Sequence, residues 1–159
     1  MSKNLIAYFS RAGEQYSVGN ITKGNTAIVA EIIAEKTGGD MFEIKVVNDN
    51  YPNEYTPLIQ FAKKEKQENA RPEIMGDVNI DNYDTVFIGY PNWWAEMPMP
   101  IYTFMDSYDL TNKKIYHFCT HEGSGGVKRE GFAIYGHTAQ NNRAEAEKQV
   151  SEWLKNIAY

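Results

Sequence analysis

Cysteine is almost absent: Cys119 is the only one in 159 residues. A lone thiol excludes an internal disulfide framework and leaves no pair for a CxxC redox or zinc motif. Histidine is scarce as well, with three copies, so no metal site is expected. No apolar run approaches the roughly 18 residues that a membrane-spanning helix needs. The start, Met1-Ser2-Lys3-Asn4-Leu5-Ile6, passes directly into a strand-like segment without a leader pattern, which makes the cytoplasm the expected location and a membrane an unexpected partner. Positive charge is not in excess either. The net charge is -5, and the basic cluster Lys63-Lys64-Glu65-Lys66 is interrupted by acid, so nucleic acid is not an expected partner and the cluster reads as a solvated helix face. What remains is ordinary folded-protein composition, 42% hydrophobic and 23% charged, at a length that suits one domain over residues 1–159.

Short apolar runs alternate with helical patterns. Leu5-Ile6-Ala7-Tyr8-Phe9 is continuously apolar and reads as a strand buried on both faces, which implies a parallel sheet. A polar, Gly-containing stretch from Ser10 to Gly24 precedes a helix from Asn25 to Lys36, where Ile28, Val29, Ile32 and Ile33 repeat at i,i+4 and Gly38-Gly39 ends the element. Further strands are read at Met41–Val46, Thr85–Gly89, Lys114–Thr120 and Phe132–Tyr135. Thr56-Pro57 reads as an N-cap and first helical residue, with Tyr55, Leu58, Ile59 and Ala62 on one helical face. Pro98 and Pro100 open a third helix, and Asn142 with Glu145 is spaced like a capping box at the last one. Strands alternating with helices predict α/β architecture.

In an open α/β sheet, ligands bind outside the carboxyl ends of the strands. The loop after the first strand, Ser10-Arg11-Ala12-Gly13, leads to Gly24-Asn25-Thr26 at a helix start, where backbone N–H groups and the dipole favour an anion. Gly19 to Thr26 reads G-x-x-x-x-G-N-T, with Asn25 where a nucleotide-binding lysine would stand, so a monophosphate fits better than a triphosphate. A capped helix after an ordinary loop would look the same. The loop after the third strand, Pro91-Asn92-Trp93-Trp94, offers two large planar faces for a ring system, or two core aromatics. The loop after the fourth, Thr120-His121-Glu122-Gly123, is glycine-rich onward and lets backbone approach a ligand edge. His121 is either a proton donor or an exposed loop residue. Cys119 and His117 read as structural strand residues.

Taken together, Leu5 to Gly13, Gly24-Asn25-Thr26, Gly89 to Trp94, Thr120 to Gly125 and Gly131 to Gly136 resemble the flavodoxin-like proteins over nearly the whole chain. The resemblance implies a flavodoxin-like three-layer α/β sandwich on a five-stranded parallel sheet of order 2-1-3-4-5. It implies FMN at the carboxyl edge and electron transfer to a redox partner protein or reduction of a small-molecule acceptor, of flavodoxin or quinone-reductase type. By match to the family's loops, Ser10, Arg11, Ala12, Asn25 and Thr26 would hold the phosphate. Pro91, Asn92, Trp93 and Trp94 would line the ring on one side, and Thr120, His121, Glu122 and Gly123 on the other.

The chain departs from the family pattern twice. No glycine stands in Pro91 to Trp94, where the family usually carries one beside flavin N5; Asn92 is the residue there best able to take positive φ, and two-electron chemistry is favoured. Only eleven residues, His121 to Gly131, separate the fourth and fifth strands, so the helix between them is expected to be missing. Such a gap would bare one sheet face, with residues such as Tyr116 and Phe118 or else Ile115 and Cys119, and a homodimer would cover it. The competing reading is a flavodoxin-shaped binding or assembly module that has lost FMN.

Overall fold

The computed structural model describes residues 3–15, 19–94, 96–122 and 131–157. Every residue of β1 (Asn4–Tyr8) is buried, which requires neighbours on both edges and cover on both faces. The edges are filled by β4 (Asp40–Glu43) and β5 (Thr85–Pro91), both parallel to β1. Beyond β5 lie β6 (Lys114–His121) and β7 (Gly131–Tyr135), again parallel, so the sheet order is β4-β1-β5-β6-β7. That is the expected order, second-first-third-fourth-fifth, with one addition. A two-stranded antiparallel ribbon, β2 (Gly13–Gln15) and β3 (Gly19–Ile21), stands between β1 and the first helix.

Side-chain alternation along the strands divides the core into two layers. Ile6, Phe87, Phe118 and Ile134 pack with Val29, Ile32 and Ile33 of α1 (Asn25–Thr37) and with Val150 and Leu154 of α5 (Arg143–Asn156). On the opposite face Leu5, Ala7, Ile88 and Cys119 pack with Leu58 of α2 (Tyr55–Glu68) and with Ile101 and Phe104 of α3 (Met99–Ser107). α1 ends as its sequence directs, with Gly38 left-handed at φ 69° and its N–H returned to Ala34 O. Asn142 caps α5 by accepting from the Glu145 N–H at 3.2 Å. α2 begins one residue before Thr56, with Glu54 at the cap position; Pro57 still falls in the first turn, where its missing N–H has no intrahelical duty. Between β7 and α5 lies a short helix, α4 (Gly136–Asn141).

The expected bare sheet face is smaller than the sequence suggests. Cys119 is nearly buried in the layer of Leu58, Ile101 and Phe104, and Phe118 is fully buried on the opposite face, where α5 reaches across the edge: Trp153 stacks on Phe132 at 5.0 Å and meets Tyr116 edge-on at 6.4 Å. Ile115 packs against the other layer. What stays exposed is the outward side of β7, at Gly131, Ala133 and Tyr135. The connection at 123–130, where the missing helix was expected, lies outside the described residues.

Candidate functional site

The carboxyl ends of β1, β5 and β6 open onto a cavity of about 340 Å³. It collects Arg11, Asn25 and Thr26 from the first loop and α1, Pro91 to Trp94 after β5, and Thr120 to Glu122 after β6. Ser10 and Ala12 do not line it, and Gly123 lies outside the described residues. The fourth wall was not expected: Tyr55, Leu58, Ile59 and Ala62 of α2 face the cavity. Their helical stripe is visible in the sequence, but a stripe looks the same whether it packs on a core or borders a cavity.

At the α1 end, Ser10 works from outside the helix. Its Oγ accepts the Ala27 N–H at 3.0 Å, which leaves the N–H groups of Asn25 and Thr26 as the first-turn donors with no intrahelical acceptor. The loop is pressed onto the helix start, since a Cβ on Gly24 would stand 2.0 Å from Ser10 Oγ and 2.8 Å from Arg11 O. Asn25 is 9% exposed, and its Oδ1 has no hydrogen-bond partner among the described residues. An unsatisfied buried amide oxygen costs about 1–3 kcal/mol, so this is a polar group that a ligand would satisfy. Thr26 and Thr120 share a buried hydrogen bond, Oγ1 to Oγ1 at 2.9 Å, which ties the helix start to the end of β6. Arg11, which lines the cavity, is tied to the segment after β4: its guanidinium pairs with Asp49 at 2.8 Å, donates to Tyr51 O at 3.1 Å and lies 5.4 Å over the Tyr51 ring.

The two tryptophans take different roles. Trp93 packs edge-on against Phe9 at 5.4 Å and tilted against Tyr51 at 5.6 Å while also lining the cavity, so it belongs to the core and to the cavity wall alike. Its N–H and C=O pair with Glu96 at 3.1 and 3.2 Å, closing a tight turn. The residue in this loop with positive φ is Trp94, at 59°. Asn92 instead continues the sheet, its N–H donating to Thr120 O at 2.9 Å, and this ladder bond holds it in ordinary backbone geometry. A bulky residue in the left-handed region costs about 1–3 kcal/mol, and α2 offsets that cost. Trp94 Nε1–H donates to Ile59 O at 2.7 Å, and Lys66 Nζ donates to Trp94 O at 2.6 Å.

Along the β6 rim, burial lowers the pKa of His121, so its imidazole is neutral at about pH 7. Its ring lies 4.6 Å from that of Tyr135. Burial raises the pKa of Glu122, an effect opposed by the His137 N–H that its Oε1 accepts at 2.6 Å. Behind Trp93, Tyr51 donates its hydroxyl to Glu65 Oε1. His117 is a satisfied strand residue, with Nδ1 3.2 Å from the Tyr90 hydroxyl. Among the described residues, no group of three or more His, Cys, Asp or Glu is placed to hold a metal ion, and no helix is long and apolar enough to cross a membrane.

Two buried tyrosines give the fold an alkaline limit. Burial first, and then Glu43, push the Tyr8 hydroxyl up to about 12, while burial and the bond to Glu65 push Tyr51 upward too. In the unfolded chain both ionise near their ordinary value of 10.0. The unfolded state therefore binds fewer protons above about pH 10, and stability falls as pH rises from there through the folded values. Denaturant melts between about pH 9 and 12 should show this fall, and Tyr51→Phe should flatten it.

A family model described as Flavodoxin matches residues 3–157. A candidate flavoprotein of Bacteroides eggerthii DSM 20697 is 28% identical, with a TM-score of 0.73 over 100% of this chain and 99% of that one. A flavoprotein of Lactobacillus acidophilus NCFM, solved in complex with FMN, is 23% identical, with a TM-score of 0.64 over 96% of this chain and 99% of its own. An NAD(P)H dehydrogenase (quinone) of Acidovorax ebreus (strain TPSY) is 26% identical over 108 residues, 67% of this chain and 46% of that protein. This chain thus spans about half the length of that curated relative. The sheet order and a family match running over almost every residue agree, and the chain belongs to the flavodoxin family.

Proposed function

We propose that the cavity holds FMN and that the chain is a flavoprotein which passes electrons to a partner protein or reduces small acceptors such as quinones. One observation carries this reading: a buried, unsatisfied Asn25 Oδ1 lies beside the open N–H groups of α1 in a cavity with an aromatic wall. The chemistry of the donors fits the group. The N–H groups of Asn25 and Thr26 would receive the phosphate, aided by the helix dipole. Asn25 Oδ1 would accept from a hydroxyl, and the Thr26–Thr120 pair has one further O–H to donate. Ser10 contributes by fixing the helix start, and Arg11 by holding the loop to Asp49. Trp93, Trp94 and the α2 face would exclude water from the ring, with Thr120, His121 and Glu122 along its polar edge.

When bound, FMN supplies reversible transfer of one or two electrons. The protein's share is orientation, desolvation and protons. Neutral His121 can give or take a proton at a ring nitrogen. Glu122, with its pKa raised, is the closest carboxyl to a proton reservoir on this rim. The reading includes a cytoplasmic setting and, if two chains pair, contact through the exposed side of β7 at Gly131, Ala133 and Tyr135; light scattering at micromolar concentration would report a doubled mass. Titration of the purified protein with FMN, read by flavin fluorescence, tests the cofactor. Saturable one-to-one binding is expected. A colourless protein indifferent to added FMN would sink the reading and leave a binding or assembly module.

A further inference from the structure

Five cations of the described chain are paired with carboxylates: Arg11, Lys23, Lys45, Arg71 and Arg143. Lys63, Lys64 and Lys66 are not, although the chain as a whole carries a charge of -5. Two of the three reach Trp94, which lines the cavity. Lys63 Nζ lies 5.2 Å from the Trp94 ring centroid, and Lys66 Nζ is 2.6 Å from Trp94 O. Trp94 itself lines the cavity and is 41% exposed, so it forms the mouth. Among the described residues neither neighbouring acid forms an ion pair with them: Glu65 accepts from the Tyr51 hydroxyl, and Glu96 accepts from the Met97 N–H at 2.9 Å. Glu68 follows on the last turn of α2. Inside the mouth the wall is apolar, with Leu58, Ile59 and Ala62.

We propose that Lys63 and Lys66 recognise a negative group on the small molecule that exchanges electrons at this site. The molecule is a planar ring compound bearing a sulfonate, carboxylate or phosphate. The exposed side of Trp94 at the mouth receives the ring, leaving the α2 wall to the flavin, and the two ammonium groups receive the anion at the rim. This deepens the reading of the cavity as a flavin site and rests on it. An ammonium over an indole face keeps its charge available on the solvent side, and two such groups without an ion-pair contact attract an anion locally.

The test uses FMN-loaded protein and two anthraquinones of similar size, anthraquinone-2-sulfonate and neutral 2-(hydroxymethyl)anthraquinone, titrated calorimetrically. The sulfonate should bind about fivefold more tightly at low salt, and its lead should shrink toward onefold in about 0.5 M salt. The double variant Lys63→Gln/Lys66→Gln should lose the lead; glutamine removes the charge while its amide can still donate to Trp94 O. Lys64→Gln removes the same charge from the same helix away from Trp94, and should leave the lead within about twofold. Equal binding of the two probes, no binding of either, a lead that survives the double variant, or one lost equally in Lys64→Gln would each overturn the proposal. Uptake of FMN is measured beforehand. Should it fail, the proposed cofactor fails, and the same titration on the flavin-free protein still decides whether Lys63 and Lys66 select an anion.

Discussion

Gly136→Ala should weaken FMN binding by at least about tenfold, roughly 1.4 kcal/mol, although the residue lies on neither the phosphate loop nor the aromatic wall. Gly136 opens α4 in ordinary backbone geometry, so alanine meets no conformational penalty there. The obstacle is space. An added Cβ would stand 2.2 Å from Asn25 Nδ2, 2.8 Å from Asn25 Cγ and 2.6 Å from Glu122 Oε1. Asn25 is buried and cannot swing aside, and displacing Glu122 would strip the His137 N–H of its acceptor. Overpacking of this kind costs about 1–3 kcal/mol in stability, so thermal melts and flavin titrations should both shift. Wild-type affinity in a folded Gly136→Ala protein would show that Asn25 and Glu122 do not touch the cofactor.

Thr26→Ala should have a comparable effect through a different cause. Thr26 and Thr120 are 1% and 3% exposed and satisfy each other. Removing one hydroxyl deletes a donor to the ligand and leaves Thr120 Oγ1 buried without its partner, at a cost of about 1–3 kcal/mol. The expected loss is about tenfold or more in FMN affinity. Because the hydroxyls act as a unit, Thr120→Ala added to Thr26→Ala should do little further harm, giving a coupling above about 0.5 kcal/mol in a double-mutant cycle. Thr26→Ser should restore most of the binding. Fully additive losses would mean that the two residues serve the site separately.

The parallel sheet was legible in the sequence because its strands are short apolar runs, and the helices between them carry regular apolar spacing. The β2–β3 ribbon was not. Gly13–Gln15 and Gly19–Ile21 show no apolar alternation, and their pairing rests on backbone bonds and on glycines at φ 93° and 87°, which side-chain pattern does not report. α4 was missed because six residues with Ala139 as their one large-enough buried side chain make no stripe. Ten of the thirteen expected site residues meet around one cavity, since each loop follows a strand of known direction. Asp49, the partner of Arg11, gave no signal because 38 residues separate them. Strain at Trp94 was equally hidden: the composition pointed to Asn92, while the contacts that hold Trp94 come from α2, some 28 to 35 residues upstream.

The central position of β1 sets a timetable for synthesis. Its two sheet partners begin at Asp40 and Thr85, so a strand buried at every residue leaves the ribosome long before the second of them is made. At about 5–20 residues per second, the interval from Asn4 to Thr85 lasts roughly 4 to 16 s. During that time Leu5, Ile6 and Ala7, all but completely buried in the finished protein, have one edge open to other nascent chains. α1 can shield one face meanwhile, since it follows after the short β2–β3 ribbon and packs against that strand. The open edge is the exposure that a chaperone would read, and mutations that slow the arrival of β5 should therefore lower yield in cells more than they lower the melting temperature of the purified protein.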